Sequence, residues 1–175
     1  MLLEIMKKRR SVRKYNGNPV SEEQVKTILQ AGMMAPSAKN GRPWEFIVIR
    51  DKEMLRKLGL SRSEERNQKM AASADVAITI IGDHDAADTW VEDCSAAITQ
   101  MHLMADALGL GSCWMQGHGR TAADGRPANE YLHELLGYPS NYEVVASLII
   151  GCIDEHPEPH DPDKLPVEKI HYERY

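Results

Sequence analysis

The segment 90–108 constrains the fold of this chain more strongly than any other. Its apolar residues fall at helical spacing on two sides, with one stripe of Ala97, Met101, Met104 and Leu108 and another of Ala96, Leu103 and Ala107. A helix that is apolar around so much of its circumference has to be buried. Its small residues also allow its backbone to pack closely against neighbouring elements. The chain must therefore cover this helix on more than one side.

Helices and strands alternate along the rest of the chain. Strands are predicted at 44–50, 75–82, 112–116 and 144–153, and helices at 2–10, 21–32, 51–60 and 129–136. The strand at 75–82 is almost wholly apolar, which indicates burial on both faces. Interleaved helices and strands predict a three-layer α/β or α+β domain, and 175 residues suffice for one such domain.

The C-terminal stretch 154–175 differs from the preceding 1–153. It holds four of the nine prolines and seven acidic residues, with little periodicity. It also carries spaced apolar anchors, namely Leu165, Val167, Ile170, Tyr172 and Tyr175. A disordered tail typically lacks such anchors. We therefore expect an extended arm that belongs to the domain and lies on its own surface or on a partner's.

The charge balance and cysteine count exclude several classes of protein. A net charge of -5 argues against a dedicated nucleic-acid binder, and no apolar run reaches the ~18 residues of a membrane span. Three cysteines do not make a disulfide framework, so a cytoplasmic protein with reduced thiols is expected. Six of the 21 basic residues fall within the first 14 positions, which favours either a small anionic ligand or a solvated helix end.

Three other features are not predicted to carry chemistry. His156 and His160 are four apart on a chain broken by prolines, so they lack the helical geometry of a metal pair, and no metal site is predicted. Cys113 has no neighbouring base in sequence and reads as a small buried hydrophobe. His102, on the buried helix, reads as a satisfied core or interface histidine.

Four segments instead combine polar or basic side chains with constrained backbone: 9–13, 36–42, 114–119 and the stretch around Lys164. Together with their order along the chain they form a recognisable pattern. The strings RRSVRKY at 9–15, APSAKNGRPW at 35–44, GLGSCW at 109–114, LGYP at 136–139 and KLP at 164–166 resemble the signatures of the FMN-dependent nitroreductase family. The resemblance extends over nearly the whole chain.

This resemblance implies a particular architecture and assembly. The expected fold is α+β with three layers, in which helices flank a central, mostly antiparallel sheet. The family also implies an intertwined homodimer with two FMN molecules at the subunit interface. In that assembly the C-terminal arm embraces the partner subunit.

The resemblance also implies which residues bind the cofactor. Arg9, Arg10, Ser11 and Arg13 are expected at the phosphate, the ribityl chain and the pyrimidine side of the ring, with Lys164 as a further phosphate contact. Pro36, Ser37, Ala38 and Asn40 are expected against the ring, usually from the other subunit. The amide of Asn40 suits the N3–H and C4=O edge. Met115, Gln116 and Gly117 are expected to bring their backbone near N5.

A fixed positive charge near N1 and O2 favours the reduced, anionic ring. Arg13 is the first candidate for this charge and Arg42 the second. Arg42 departs from the family, which most often has glutamine there, so its side chain either strengthens the electrostatic effect or points to solvent. The stretch 118–126 varies in the family and leaves the substrate open.

The implied activity is ping-pong transfer of hydride from NAD(P)H through flavin N5 to nitroaromatic, quinone or related electron-poor acceptors. No side chain is required as the chemical catalyst, because orientation and electrostatics are the protein's task. Three alternatives remain at this point. They are a specialised relative acting in dehalogenation or in enone or aldehyde reduction, a slow-cycling flavin-binding redox module, and a phosphate-binding domain without flavin.

Overall fold

The computed structural model describes residues 2–175, and this part of the chain contains six α-helices and four β-strands. The helices are α1 (Leu2–Lys8), α2 (Glu22–Met33), α3 (Lys52–Gly59), α4 (Glu65–Ser73), α5 (Trp90–Ala107) and α6 (Ala128–Leu136). The strands are β1 (Trp44–Ile49), β2 (Val76–Asp83), β3 (Gly111–Gln116) and β4 (Tyr142–Gly151). Both the predicted α+β class and the interleaving of elements are confirmed.

The four strands form one sheet in the order β1-β2-β4-β3, and each neighbouring pair is antiparallel. β2 is buried from Val76 to Gly82, as its apolar sequence predicts. The only parallel pairing in the described part of the chain is a single bridge between Ser11 and Ser112, outside the named strands. β1 and β3 are therefore the two edges of the sheet.

Helices cover both faces of this sheet, which confirms the three-layer arrangement. On one face, Ile28 of α2 and Ile98 and Met101 of α5 pack on the sheet, and all three are fully buried. On the other face, Leu55 of α3 and Met70 of α4 are fully buried in a second core, which α6 completes. The apolar circumference of α5 is explained by its position between the sheet and α2.

One helix and several element boundaries differ from the sequence prediction. Helix α4 is missed because few of its residues face the core: only Asn67, Met70 and Ala71 are buried. β2 begins after Asp75, whose carboxylate instead accepts a hydrogen bond from the Val20 amide at 2.9 Å. β4 ends at Gly151 rather than at 153, and a Cβ there would lie 2.6 to 2.8 Å from the Tyr15 ring and Cβ, so only glycine fits.

Residues 154–175 follow the sheet as an irregular segment with two short 3₁₀ turns, Pro162–Lys164 and Val167–Lys169. Apart from Pro157, every residue of this segment is exposed. Two contacts tie it to the helices: the His160 amide donates to the Lys7 carbonyl at 2.8 Å, and His156 Nε2 lies 2.7 Å from an Asp106 carboxylate oxygen. Among residues 2–175, no helix is long and apolar enough to cross a bilayer.

Candidate functional site

The N-terminal segment with the candidate cofactor-binding residues 9–13 lies against the open edge of β3. The Val12 amide donates to the Ser112 carbonyl at 2.9 Å, so the N-terminal segment lies beside the first half of β3. The imidazole Nε2 of His102 on α5 lies 3.3 Å from the same carbonyl. The side chains of Cys113 and Met115 are buried in the core beneath α3, α4 and α6. Met115 can therefore contribute only its backbone to a ligand at this edge.

Positive charge is concentrated around the beginning of β3. Burial raises the pKa of the Cys113 thiol, while Arg13, Arg66 and Arg9 are close enough to oppose that rise. Burial, followed by the charge of Arg9, lowers the pKa of His102 to about 4. His102 is therefore neutral at pH 7. The charge of Arg9 thus acts on two buried titratable groups, Cys113 and His102.

Arg9 and Arg10 both contact the C-terminal segment of the same protomer. The Arg10 guanidinium donates to the Glu158 carbonyl. A guanidinium nitrogen of Arg9 lies 3.5 Å from His160 Nε2. The structure therefore brings the N-terminal arginines next to residues 158–160.

Lys164 does not join them within one protomer. Its ammonium lies 3.1 Å from the Asp161 carboxylate, and its side chain is 83% exposed. A cavity of about 690 Å³ lies between Ser11–Asn16 and Ile153–Pro157, and Lys164 is not part of its lining. The prediction that Arg10 and Lys164 meet at one phosphate is thus not realised in the isolated protomer and stays a prediction for an assembly.

A connected set of hydrogen bonds holds the residues at the end of β3. Trp114 Nε1 donates to the Gln116 side-chain oxygen at 2.8 Å, and Gln116 Nε2 donates to the His118 carbonyl at 3.1 Å. The amides of Gly117 and His118 both donate to the Val145 carbonyl at 3.0 Å. The backbone here is therefore fixed, but the Gly117 amide already has an acceptor in β4.

The loop 36–42 adopts a conformation that L-residues rarely take. Lys39, Asn40 and Arg42 have φ values of 50°, 56° and 49°. Left-handed backbone at a residue other than glycine costs roughly 1 kcal/mol or more each. Such strain persists only where surrounding contacts fix the chain, and it is concentrated at functional sites.

Three hydrogen bonds that involve side chains hold this loop. The Ala38 amide donates to the buried Asp93 carboxylate on α5 at 3.0 Å, and the Arg42 amide donates to the Ser37 hydroxyl at 3.0 Å. Arg42 Nε donates to the Asn40 side-chain oxygen at 3.1 Å. Arg42 is an exposed residue, and this bond holds its guanidinium over its own loop.

The strand order separates the loop from β3 within one protomer. The loop leads into β1, and β1 and β3 are opposite edges of the four-stranded sheet. Three strand spacings of about 4.8 Å put about 14 Å between them. The register places the loop and the Gln116 end of β3 at the same end of the sheet, since Trp44 pairs with Gly82 and Gln116 pairs with Ala146.

Three residues near these segments are not among those predicted from the sequence. They are Asp93, which holds the loop; Arg66, which faces Cys113; and Arg62, whose Nη1 donates to the Gln116 carbonyl at 2.9 Å. Asp93 reads in sequence as an ordinary acidic residue in the first turn of a helix. Arg62 and Arg66 lie in and beside the unpredicted helix α4, so no periodicity marks them. Among residues 2–175, no group of three or more His, Cys, Asp or Glu side chains is placed to hold a metal ion.

The sequence matches the nitroreductase family over residues 6–64 and 56–152. An Archaeoglobus fulgidus protein named "Putative NADH dehydrogenase/NAD(P)H nitroreductase" is 36% identical, with 99% of this chain and 98% of that protein covered. The structure of an FMN-dependent nitroreductase from Clostridium difficile is 39% identical, with a TM-score of 0.94 and 99% of both chains covered. A Desulfovibrio desulfuricans nitroreductase homologue solved in complex with FMN is 27% identical, with a TM-score of 0.78 and coverage of 99% and 97%.

The three-layer α+β fold is thus shared with an FMN-dependent nitroreductase of known structure. The chain belongs to the nitroreductase family.

Proposed function

We propose that this chain is an NAD(P)H-dependent flavin oxidoreductase that binds FMN along the open edge of β3. The observation that carries this proposal is the position of the basic segment Arg9–Arg13 beside the start of that strand, where the Val12 amide donates to the Ser112 carbonyl. The relatives named for FMN and for NAD(P)H, which match the chain over nearly its full length, support the same reading.

The residues present fit a flavin mononucleotide. Guanidinium groups bind phosphate through charge-assisted, bidentate hydrogen bonds, and Arg9, Arg10 and Arg13 lie beside the exposed Ser11. The strand edge then leads from this phosphate end to the Gln116–Gly117 backbone. In our proposal Arg9, Arg10, Ser11 and Arg13 hold the phosphate and ribityl end, while Met115, Gln116 and Gly117 line the ring.

The remaining predicted residues require a second copy of the chain. Pro36, Ser37, Ala38, Asn40 and Arg42 lie on the opposite edge of the sheet from β3. A homodimer in which the loop of one protomer meets the β3 edge of the other would complete the site. Lys164 would likewise reach the phosphate from an arm whose path is set by the partner.

Exposed apolar surface supports this assembly. Leu2 and Leu3 on α1 are 60% and 64% exposed, and Leu165, Val167 and Ile170 in the arm are 54% to 67% exposed. An apolar groove of about 480 Å³ also lies between α1, α2 and α5. Contiguous apolar surface on this scale marks an interaction site. We propose that residues 154–175 form an arm of the 1–153 domain that covers such surface on the partner.

Bound FMN supplies a ring atom, N5, that accepts a hydride from NAD(P)H and passes it to an acceptor. The chain's own residues bind the FMN and orient it. Arg13 places a fixed positive charge that favours the reduced, anionic ring, and Asp93 holds the loop in its strained shape. We propose nitroaromatic and quinone compounds as acceptors. A cytoplasmic location, expected from the reduced thiols, stays a prediction.

The visible spectrum of the purified protein tests this proposal first. We expect bound FMN at the site, bleaching of its absorbance within seconds of anaerobic NADH or NADPH addition, and recovery on adding a quinone or nitroaromatic acceptor. Bleaching over hours would favour a slow redox module instead. A colourless protein that stays colourless after mixing with FMN would contradict the proposal.

A further inference from the structure

Arg62 is a buried cation whose contacts join α4 to the end of β3. The residue is 8% exposed and lies in the turn between α3 and α4. Its Nη1 donates to the Gln116 carbonyl at 2.9 Å, and its Nη2 donates to both oxygens of the Glu64 carboxylate at 2.7 Å. Arg62 is thus the side chain that fixes the Gln116 carbonyl at the end of β3.

The third side of this guanidinium has no partner. Arg62 Nε is buried and makes no hydrogen bond in the described part of the chain. A buried donor left unpaired is destabilising, and a buried ion pair is often no more stable than an apolar pair of the same volume. Fold stability alone therefore gives a weak reason for an arginine at this position.

Arg62 and its partner Glu64 differ in how far their side chains are buried. The Glu64 side chain is 44% exposed, whereas the Arg62 side chain is 10% exposed. Burial opposes ionisation of Glu64, but hydrogen bonds and the Arg62 charge outweigh it, so the pKa of Glu64 lies below its usual value. Glu64 is therefore ionised at pH 7. The carboxylate is therefore the more exposed of the two charges, and the guanidinium is the one that contacts β3.

We infer that Arg62 is a positioning residue for the flavin: it fixes the Gln116 carbonyl and sets the reduction potential of the ring from behind the strand, with Glu64 as its counter-charge. This inference rests on the proposed function. Reduction adds negative charge to the ring, so an uncompensated cation nearby raises the potential and an uncompensated anion lowers it.

The test uses FMN-loaded protein and three variants: Arg62→Met, Glu64→Gln and the double variant. Midpoint potentials are measured by spectroelectrochemistry, and FMN dissociation constants by titration of the apo-protein. We expect Arg62→Met to lower the potential and to weaken FMN binding several-fold. We expect Glu64→Gln to raise the potential by a smaller amount, because Glu64 is more exposed. The double variant should return toward the wild-type potential.

The matched control is the pair Arg56 and Glu53 on α3, which are joined at 2.7 Å and are 54% and 55% exposed. Arg56→Met and Glu53→Gln should leave the potential unchanged. Circular dichroism of each variant establishes that it is folded, and Glu64→Gln retains the Arg62 bond to Gln116, so it carries the test even if Arg62→Met does not fold.

Opposite shifts for the two single variants support the inference, since a merely structural role gives no reason for opposite signs. Shifts of the same sign, or a Glu64→Gln shift no larger than that of the control pair, overturn it while leaving the proposed function in place. A wild-type chain that binds no FMN overturns both.

Discussion

Replacing His102 by glutamine should remove a specific part of the acid sensitivity of this protein. His102 is 6% exposed on α5, and its Nε2 is 3.3 Å from the Ser112 carbonyl. The groups that face it are Arg9, the Arg10 backbone and the Asp106 carboxylate. Burial and the Arg9 charge outweigh the favourable contacts, so the pKa of His102 falls from 6.5 to about 4.

The sign of the effect follows from proton linkage. Between pH 6.5 and 4 the unfolded chain binds a proton at His102 that the folded chain does not, so stability is lost as the pH falls through this window. With these two pKa values the loss is about 2 kcal/mol at pH 5 and about 3 kcal/mol at pH 4, relative to pH 7. Glutamine does not titrate, yet its amide can still donate to the Ser112 carbonyl.

Urea unfolding followed by tryptophan fluorescence at pH 7, 5 and 4 measures this difference. Protonation of other groups lowers the stability of both proteins as the pH falls. The quantity of interest is therefore the additional loss in the wild type relative to His102→Gln. The protomer concentration must be the same throughout, because association would change the apparent stability. Parallel stability profiles for wild type and His102→Gln between pH 7 and pH 4 would refute the reasoning.

Three further predictions concern the cofactor, the arm and the packing. Arg10→Ala should weaken FMN binding by ten-fold or more, because it removes a contribution on the order of one charge-assisted hydrogen bond. A wild-type affinity in a fluorescence titration would reject Arg10 as a phosphate contact. A chain truncated after Ile153 should sediment as a monomer, whereas a truncated dimer would contradict the role of the arm. Gly151→Ala should lower the free energy of unfolding by roughly 1–3 kcal/mol, since its Cβ would press on the Tyr15 ring. Gly41→Ala is the comparison variant: its φ is -70° and a Cβ there would lie 3.3 Å from the Ala38 carbonyl oxygen, so it should lower stability less than Gly151→Ala.

Most of the fold could be predicted from the sequence because hydrophobic patterns report burial directly. β2 is buried on both faces and is almost wholly apolar, and α5 is covered on two sides and is apolar on two sides. Helix α4 escaped prediction because it packs only a narrow side against α3 and leaves charged residues in solvent. The predicted strand start at 75 and strand end at 153 are wrong because tertiary contacts, of Asp75 with Val20 and of Gly151 with Tyr15, decide where these strands begin and end.

The site was less predictable than the fold. Arg9, Arg13 and Ser11 could be singled out because they are contiguous in sequence with a recognisable signature. Arg62 and Asp93 could not, because each acts through one long-range hydrogen bond, to Gln116 and Ala38 respectively, and such bonds leave no local pattern. A charged residue in a turn or in the first turn of a helix is ordinarily a solvated one. Only the three-dimensional structure shows that these two are buried.

The strand order gives the strongest physical reason for expecting two copies of the chain in the working protein. The strained loop and the open edge of β3 lie on opposite sides of β2 and β4, and no local rearrangement moves either across those strands without breaking the sheet. Yet each segment has features of half a binding site. The loop has strained backbone fixed by a buried carboxylate, and the β3 edge has several arginines beside it. We therefore expect the two segments that meet at one ligand to come from different protomers. Ligand binding and association then become linked equilibria, in which each strengthens the other.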